Sequence, residues 1–478
     1  MALSVADGVM RSYTILFGNP GNRRTTGWQQ ALQYHGQPAA LEVPYIRLLQ
    51  AIRAGDRLID LLESLIRRQD NHRLIQTDSS FPFMDKHGLA GNGKAAESAP
   101  PVSLDNNEWS DHRMHMDNDE EKQGWTASQL SGLLTLRLDA PGENIAVERG
   151  LIALGADDAE GWIDDDLLPL PAYTQGSSIS AMLARRLEPY HGRVLYPAQW
   201  FRGWCRLLSW LHVQVQRDLP HANWMNDPAE AAIMFDKRRC SNWLDQADVK
   251  VPVVLASSYT EMPNSYDSLR QLMERRQVHR VFVKLFCGSG ASGVIAYQYH
   301  PRTGAEIAST TVGIEQWNGE TVIYNSGRLR QYTDHGTIRR IMDWVGQEGM
   351  HVERWISKDM LDGKAYDIRQ LVCGAQAGHA VVRLSRTPIT NLHLRNERML
   401  LEQTGLSAAI RENIRTTALA GLAAFPGSFC AGMDVLVPAG GGMPLIADVN
   451  PFGDLLYYVQ HQEMGAYEWE LARWLERN

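Results

Sequence analysis

From about residue 278 the chain is written in strand pairs. VHRVFVKLF precedes GVIAYQYH, EIASTTVG precedes TVIYNS, DIRQLVCG precedes AVVRLS, and MDVLV precedes PLIADVN. Short β-rich runs separated by glycine-bearing turns pair most readily with their neighbours, as antiparallel hairpins. Helical stretches at 334–347 and 400–424 interrupt them, so this part predicts an α+β region with antiparallel sheets. The opening is of another class. YTILF at 13–17 runs into GNPGNRR and a helical pattern from Thr26, the strand–turn–helix start of an α/β domain. Residues 46–68 carry leucines at helical spacing, Leu133–Leu138 reads as a strand, and Glu143–Leu154 reads as a helix. From 165 to 222 the chain is rich in Leu, Trp and Arg, which predicts an amphipathic core helix with a basic solvated face. A length of 478 residues fits two or three domains.

Residues 78–128 stand apart. They are rich in Asp, Asn, Glu, Gly and Ser, and include DNNEWSDHRMHMDNDEEK. So little apolar surface cannot offset the entropy of ordering, and the segment is expected to be a mobile insertion. His112 and His115 lie in it as residues of a solvated loop rather than a metal site.

Three of the hairpins bring chemistry-bearing residues together. In VFVKLF–CGSGASG–VIAYQYH, Lys284 shares a strand face with Phe282. The turn carries Gly288, Ser289, Gly290, Ser292 and Gly293, whose backbone N–H groups can approach an anion. It is not a Walker loop, because the lysine precedes the glycines and a strand follows them. Such a hairpin is equally an ordinary surface turn. In YDIRQLVCGAQAGHAVVRLS, centring the turn on Gln376 sets Arg369 opposite Arg383. That pair suits an anion between two guanidinium forks, or an exposed sheet face. In MDVLVPAGGGMPLIADVNPFGD, centring on Gly441 sets Asp434 opposite Asp448, with Asn450 on the same face. Opposed carboxylates destabilise a sheet unless a cation lies between them, and Mg²⁺ takes this donor set. On this reading, neutralising either acid leaves the empty protein as stable or more so.

A formal charge of −8 argues against a dedicated nucleic-acid binder. The five cysteines, Cys205, Cys240, Cys287, Cys373 and Cys430, form no CxxC pair and fit a reducing compartment. Neither a signal pattern nor a membrane-spanning apolar run is visible, so a cytoplasmic protein without membrane partners is expected.

Taken together, these motifs resemble the ATP-grasp superfamily from about residue 226 to 460. NDPAEAAIMFDKRRCSNWL resembles the family's helix whose lysine, here Lys237, contacts a nucleotide phosphate. VFVKLFCGSGASGV resembles the second lysine and phosphate loop. HVERWI resembles the hinge that reads adenine, with Glu353, Trp355 and Ile356. DIR and R…TNLHLRN resemble the arginine strands and substrate loop, with Arg369, Arg383 and Asn391. MDVLV…IADVNPFGDL resembles the metal-binding end, with Asp434, Asp448 and Asn450. The family usually has Glu where Asp448 stands, and Arg395 replaces glycines that often follow the substrate loop.

The resemblance implies a Rossmann-like pre-ATP-grasp domain (1–225) and a two-lobed grasp (226–350 and 351–478). It implies ATP with Mg²⁺, Mn²⁺ being a substitute, and activation of a carboxylate as an acyl phosphate that an amine attacks. Arg369 and Arg383 would be the catalytic arginines. Glutamate-adding ligases of peptides and proteins are the nearest flavour. An ATP-grasp kinase or a non-catalytic nucleotide-binding protein are the alternatives. A homo-oligomer is compatible with all three.

Overall fold

Strand β1 (Tyr13–Gly18) alternates between two apolar environments, so it has to lie inside a layered sheet. Ile15 and Phe17 face one core and Leu16 faces another. The computed structural model describes residues 12–77, 125–161, 176–188, 192, 194–256, 261–288, 293–317, 320–390, 396–453 and 456–477. After β1 come α1 (Arg23–Tyr34), β2 (Leu41–Pro44), α2 (Tyr45–Ala54) and α3 (Leu58–Thr77). Asn22 caps α1 by accepting the Arg24 N–H. The run expected as one helix over 46–68 is two, because Gly55 ends α2 in the left-handed region at φ 74°. Then follow β3 (Leu134–Leu138), α4 (Ile145–Leu154), α5 (Ala181–Ala184), α6 (Pro197–Asp218) and β4 (Ala222–Trp224). The four strands form a parallel sheet in the order β2-β1-β3-β4.

Residues 78–124 of the expected insertion, His112 and His115 among them, lie outside the described residues. Its end is packed. Trp125 is buried and donates its indole N–H to the Ala39 carbonyl. Of the helix expected over 165–222, the described residues form the single turn α5 and, from Pro197 onward, the long helix α6.

Helices α7 (Pro228–Phe235) and α8 (Lys237–Gln246) lead to α9 (Tyr266–Arg275), β5 (Arg280–Leu285), β6 (Ile295–Tyr299), β7 (Glu306–Trp317), β8 (Glu320–Tyr332), α10 (His335–Glu348) and β9 (Met350–Arg354). These strands form an antiparallel sheet, β8-β7-β6-β5-β9, with α9 and α10 on its apolar face. The last sheet is also antiparallel. It is built from β10 (Met360–Leu361), β11 (Lys364–Cys373), β12 (Gln376–Ser385), β13 (Glu397–Leu400), β14 (Cys430–Leu436) and β15 (Leu445–Asn450), in the order β13-β12-β11-β14-β15 with β10 beside β11. The helix expected over 400–424 is α11 (Ala408–Ala423), capped by Ser407; a 3₁₀ turn at Leu401–Gln403 precedes it. It covers one face of this sheet through Ile368, Val372, Met433 and Val435.

The other face of β11 and β14 meets α12 (Ala466–Arg477). That helix packs Tyr467, Trp469, Leu471 and Trp474 in one core with Leu16 of β1 and Trp28 and Leu32 of α1. Residues about 440 positions apart in sequence thus share one interior. Among the described residues, no helix is long and apolar enough to cross a membrane.

Helices α4 and α6 touch backbone to backbone. A Cβ on Gly203 would overlap the Leu151 carbonyl oxygen, and one on Gly155 would overlap that of Gln199. Gly203→Ala should therefore force the helices apart and cost about 3 kcal/mol. Urea unfolding measures this, and an unchanged midpoint would show that the helices separate freely.

Candidate active site

A cleft between the two antiparallel sheets collects the charged residues. On the last sheet they form a row, because residues two apart on a strand share a face. Asp367 lies opposite Arg383, Arg369 opposite Asp434, and Asp434 opposite Asp448. Arg369 does not lie opposite Arg383 as expected. The chain reverses in a two-residue turn at Gly374–Ala375, ahead of Gln376, and β12 carries a bulge, Gly378 and His379 standing opposite the single Leu371. The net slip is two residues, so both arginines keep the same face and meet diagonally over one carboxylate. Arg369 Nε lies 2.7 Å and Arg383 Nη2 3.2 Å from Asp434 Oδ1.

Behind this pair sits a second carboxylate. Asp367 accepts from Arg383 Nε at 2.6 Å and from Lys358 Nζ at 3.1 Å, and Thr390 also donates to it. Lys358 in turn donates to Thr390 Oγ1 at 2.6 Å. Burial pushes the Lys358 ammonium below its ordinary pKa, even beside Asp367. Neither Asp367 nor Lys358 was singled out from the sequence. Asp367 could have been, since it stands two residues before Arg369 on the same strand face. Lys358 precedes β11 in a loop, where no periodicity marks it.

The opposite wall comes from β5, β9 and the start of α8. Lys284 is buried, and its Nζ donates to Glu353 Oε1 at 2.9 Å and to the Ala447 carbonyl at 3.3 Å, so it bridges the two sheets. His351, opposite Lys284 in the ladder, places Nε2 2.8 Å from the same Glu353 oxygen. Burial opposes the charge on Lys284, but Glu353, Asp448 and Asp434 together outweigh it and raise the lysine's pKa. Lys284 and His351 likewise hold Glu353 below its ordinary value against its own burial.

Lys237 is the first residue of α8, whose N-cap Asp236 accepts from the Arg238 and Arg239 N–H groups. Its backbone N–H donates to the Phe286 carbonyl at 2.8 Å, and its Nζ lies 2.7 Å from Asp448 Oδ1. Burial works to raise the Asp448 pKa, but Lys237 and Lys284 pull it down to about 2.

Gly288 and Gly293 flank the phosphate-loop candidate; Ser289, Gly290 and Ser292 lie outside the described residues, as does Asn391. Gly293 has φ 71°, and a Cβ there would collide with Leu285 2.6 Å away. At the hinge candidate, Trp355 packs against Phe282 with ring centroids 5.1 Å apart, and Arg280 lies over its face. The Trp355 N–H already donates to the Arg280 carbonyl, so Ile356 is the hinge residue whose N–H that contact leaves aside. Glu353 serves through its side chain.

Asn450 donates its amide N–H to the Gly432 carbonyl at 3.0 Å, which orients Oδ1 as an acceptor. Two carboxylates and an amide oxygen on neighbouring ladder positions make a hard, oxygen-only donor set that fits Mg²⁺. Asn226, also missed in the sequence, fixes this end of the sheet. Its amide bonds the Phe429 N–H, both backbone groups of Cys430 and the Pro451 carbonyl.

The acids are therefore not a bare repelling pair, because each has its own cation. The expectation that neutralising one would relieve repulsion is corrected. Asp434→Asn should leave two arginines short of a partner and cost about 3 kcal/mol in the nucleotide-free protein. Asp448→Asn should cost less, since Asp448 is partly exposed. Its folded pKa lies below the ordinary carboxylate value, so its contribution is present above pH 4 and fades as pH falls towards 2. Denaturant titrations at pH 7 and at pH 3 should show the parent–variant gap narrowing. Equal or higher stability of Asp434→Asn at pH 7 would contradict the pairing.

No family model and no curated protein sequence matches this chain. Solved structures similar to it include the ATP-grasp ligase PsnB complexed with a phosphomimetic variant of a minimal precursor, Mg and ADP. That match has 11% identity, covers 98% of this chain and 99% of that one, and has a TM-score of 0.41. VanG D-Ala:D-Ser ligase from Enterococcus faecalis matches at 12% identity over 56% of this chain and 67% of its own, with a TM-score of 0.36. The D-alanine–D-alanine ligase of Bacillus anthracis complexed with ATP matches at 14% identity over 56% and 72%, with a TM-score of 0.35.

Proposed function

We propose that this chain is an ATP-grasp ligase that uses ATP and Mg²⁺ to activate a carboxylate and join it to an amine. The observation that carries the reading is the cleft itself. Two lysines on one wall face an arginine–carboxylate row on the other, and each predicted metal-binding acid is held by a predicted phosphate-binding cation. The three-part division at 226 and 351 and a Rossmann-like first domain belong to the same proposal.

In this reading Lys237 and Lys284 leave their carboxylates for the nucleotide phosphates, and the glycine-rich segment bounded by Gly288 and Gly293 is the phosphate-loop candidate. Phe282 and Trp355 give the base an aromatic wall, and Ile356 offers it a backbone N–H. Asp434, Asp448 and Asn450 hold Mg²⁺, which supplies positive charge to the phosphate oxygens. Arg369, the more exposed of the two arginines, steadies the γ-phosphoryl group as the substrate carboxylate attacks it and ADP leaves. Arg383 is almost wholly buried against Asp367 and Asp434, so it positions the row rather than meeting the phosphate. The amine then attacks the acyl phosphate and releases phosphate, and the substrate loop containing Asn391 would bind on this side.

Asp434→Asn and Asp448→Asn should each lower ADP formation on the order of 100-fold or more, and Asn450→Ala less, because it removes a neutral ligand. Lys284→Ala and Lys237→Ala should weaken ATP binding in calorimetry. An ADP-release screen across amino acids, small peptides and cell extract, followed by mass analysis, should find a carboxylate and an amine that are both required. ADP release without an amine would identify a kinase. Tight ATP binding without turnover would identify a nucleotide-binding protein. Unchanged ATP affinity in both lysine variants would remove the nucleotide site.

A further inference from the structure

Away from the cleft, the interior shared by the first sheet, the last sheet and α12 holds three ligand-bearing side chains that the ligase reading does not use. Cys373 and Cys430 lie opposite each other in the β11–β14 ladder. Gly374 and Phe429, next along, are joined by a backbone hydrogen bond, which makes the cysteine pair the closer, non-hydrogen-bonded kind, with Cα atoms about 4.5 Å apart. Glu470 of α12 completes the group. Its carboxylate and the two thiols lie within 4.8 Å of one another, and all three residues are buried.

We propose that Cys373, Cys430 and Glu470 form a binding site for a thiophilic divalent cation, Zn²⁺ foremost. Two thiolates and one carboxylate are a donor set that favours zinc over Mg²⁺ or Ca²⁺, and three protein ligands leave a fourth position open. Zinc bonds of about 2.3 Å to sulfur place tetrahedral ligand atoms roughly 3.8 Å apart, so the side-chain ends have to close by about 1 Å.

A second observation points the same way. Glu470 is fully buried, and Arg137 takes its Oε2 at 3.0 Å, yet among the described residues Oε1 has no hydrogen-bond partner. A buried carboxylate oxygen left bare is costly. Arg137 also serves Asp139, at 3.4 Å. Binding balances as one M²⁺ taken up by the two thiols and the ionised Glu470 carboxylate, with two thiol protons released and two metal–sulfur bonds and one metal–oxygen bond formed, so the net charge of the interior is unchanged. Cys373 lines a surface cavity of about 450 Å³ beside Gln376, Phe429, Arg473 and Arg477. A bound ion would fasten α12 to the sheet that carries Arg369 and Asp434.

The test is an anaerobic titration of the reduced full chain with Co²⁺, whose thiolate charge-transfer absorption reports sulfur ligands. We expect the band to saturate at one ion per chain, to vanish in the Cys373→Ser/Cys430→Ser double variant, and to persist in Cys240→Ser and Cys287→Ser. Glu470→Gln should weaken binding about tenfold or more. X-ray absorption at the cobalt edge of the parent protein should count two sulfur ligands, a readout that does not depend on any variant folding. No band, a band that survives the double variant, no sulfur at the edge, or a reduced protein that reoxidises to a Cys373–Cys430 disulfide without binding the ion would overturn the proposal. None of these outcomes bears on ATP binding in the cleft.

Discussion

The cleft depends on charges that cannot stand alone. Asp434 and Asp448 sit directly opposite each other, Asp367 lies deeper, and Glu353 is buried across the gap. Four carboxylates in so little water are tolerable only because Lys237, Lys284, Lys358, Arg369 and Arg383 are threaded among them. Three of these cations, Lys237, Lys284 and Arg369, are groups of the kind that polyphosphate needs, and two of the same acids are groups of the kind that a hard metal needs. Loading such a cleft would be an exchange of partners rather than a creation of new charge. The three cations would pass to phosphate and Asp434 and Asp448 to metal. Little desolvation would be added, because the groups are already largely buried and already paired.

That arrangement explains why the two sheets have to come from separate stretches of chain. One strand alternates faces and can offer a row of like-facing residues, but it cannot place a cation directly over an acid on its own row. Lys284, on β5, reaches across to the Ala447 carbonyl of β15, and Lys237, at the head of α8, reaches Asp448. The hydrogen bond from the Lys237 backbone N–H to the Phe286 carbonyl fixes the start of α8 to the end of the lysine strand, so the two lysines are held together.

Much of this was legible in the sequence, and the parts that were not have physical causes. The opposition of Asp434 and Asp448 follows from a glycine-rich turn whose centre can be counted. The same counting failed for Arg369 and Arg383 because a β-bulge leaves no mark on apolar alternation, and because a two-residue turn hid inside GAQAG. The period of 2 preserved the shared face even though the partner was wrong. Gly55 was overlooked inside a leucine pattern that continues in phase on both sides of it. Lys358, Asn226 and Glu470 act through partners on other elements, and no local spacing announces a contact between residues 137 and 470. Trp125, at the packed end of the polar insertion, did not stand out in the sequence, because Phe81, Phe83 and Trp109 lie in the same stretch.

Helix α12 has a consequence for how the chain is made. Trp28 and Leu32 of α1 share their core with Trp469 and Trp474, so the first sheet has one face without its cover until residues 466–477 arrive. At ribosomal speeds of about 5–20 residues per second, that face waits roughly 20–90 s after Trp28 has been added. During this interval a nascent chain shows an aromatic surface to the solvent. A holding chaperone, or slow local translation after the first sheet, would act on that surface before any ligand site exists.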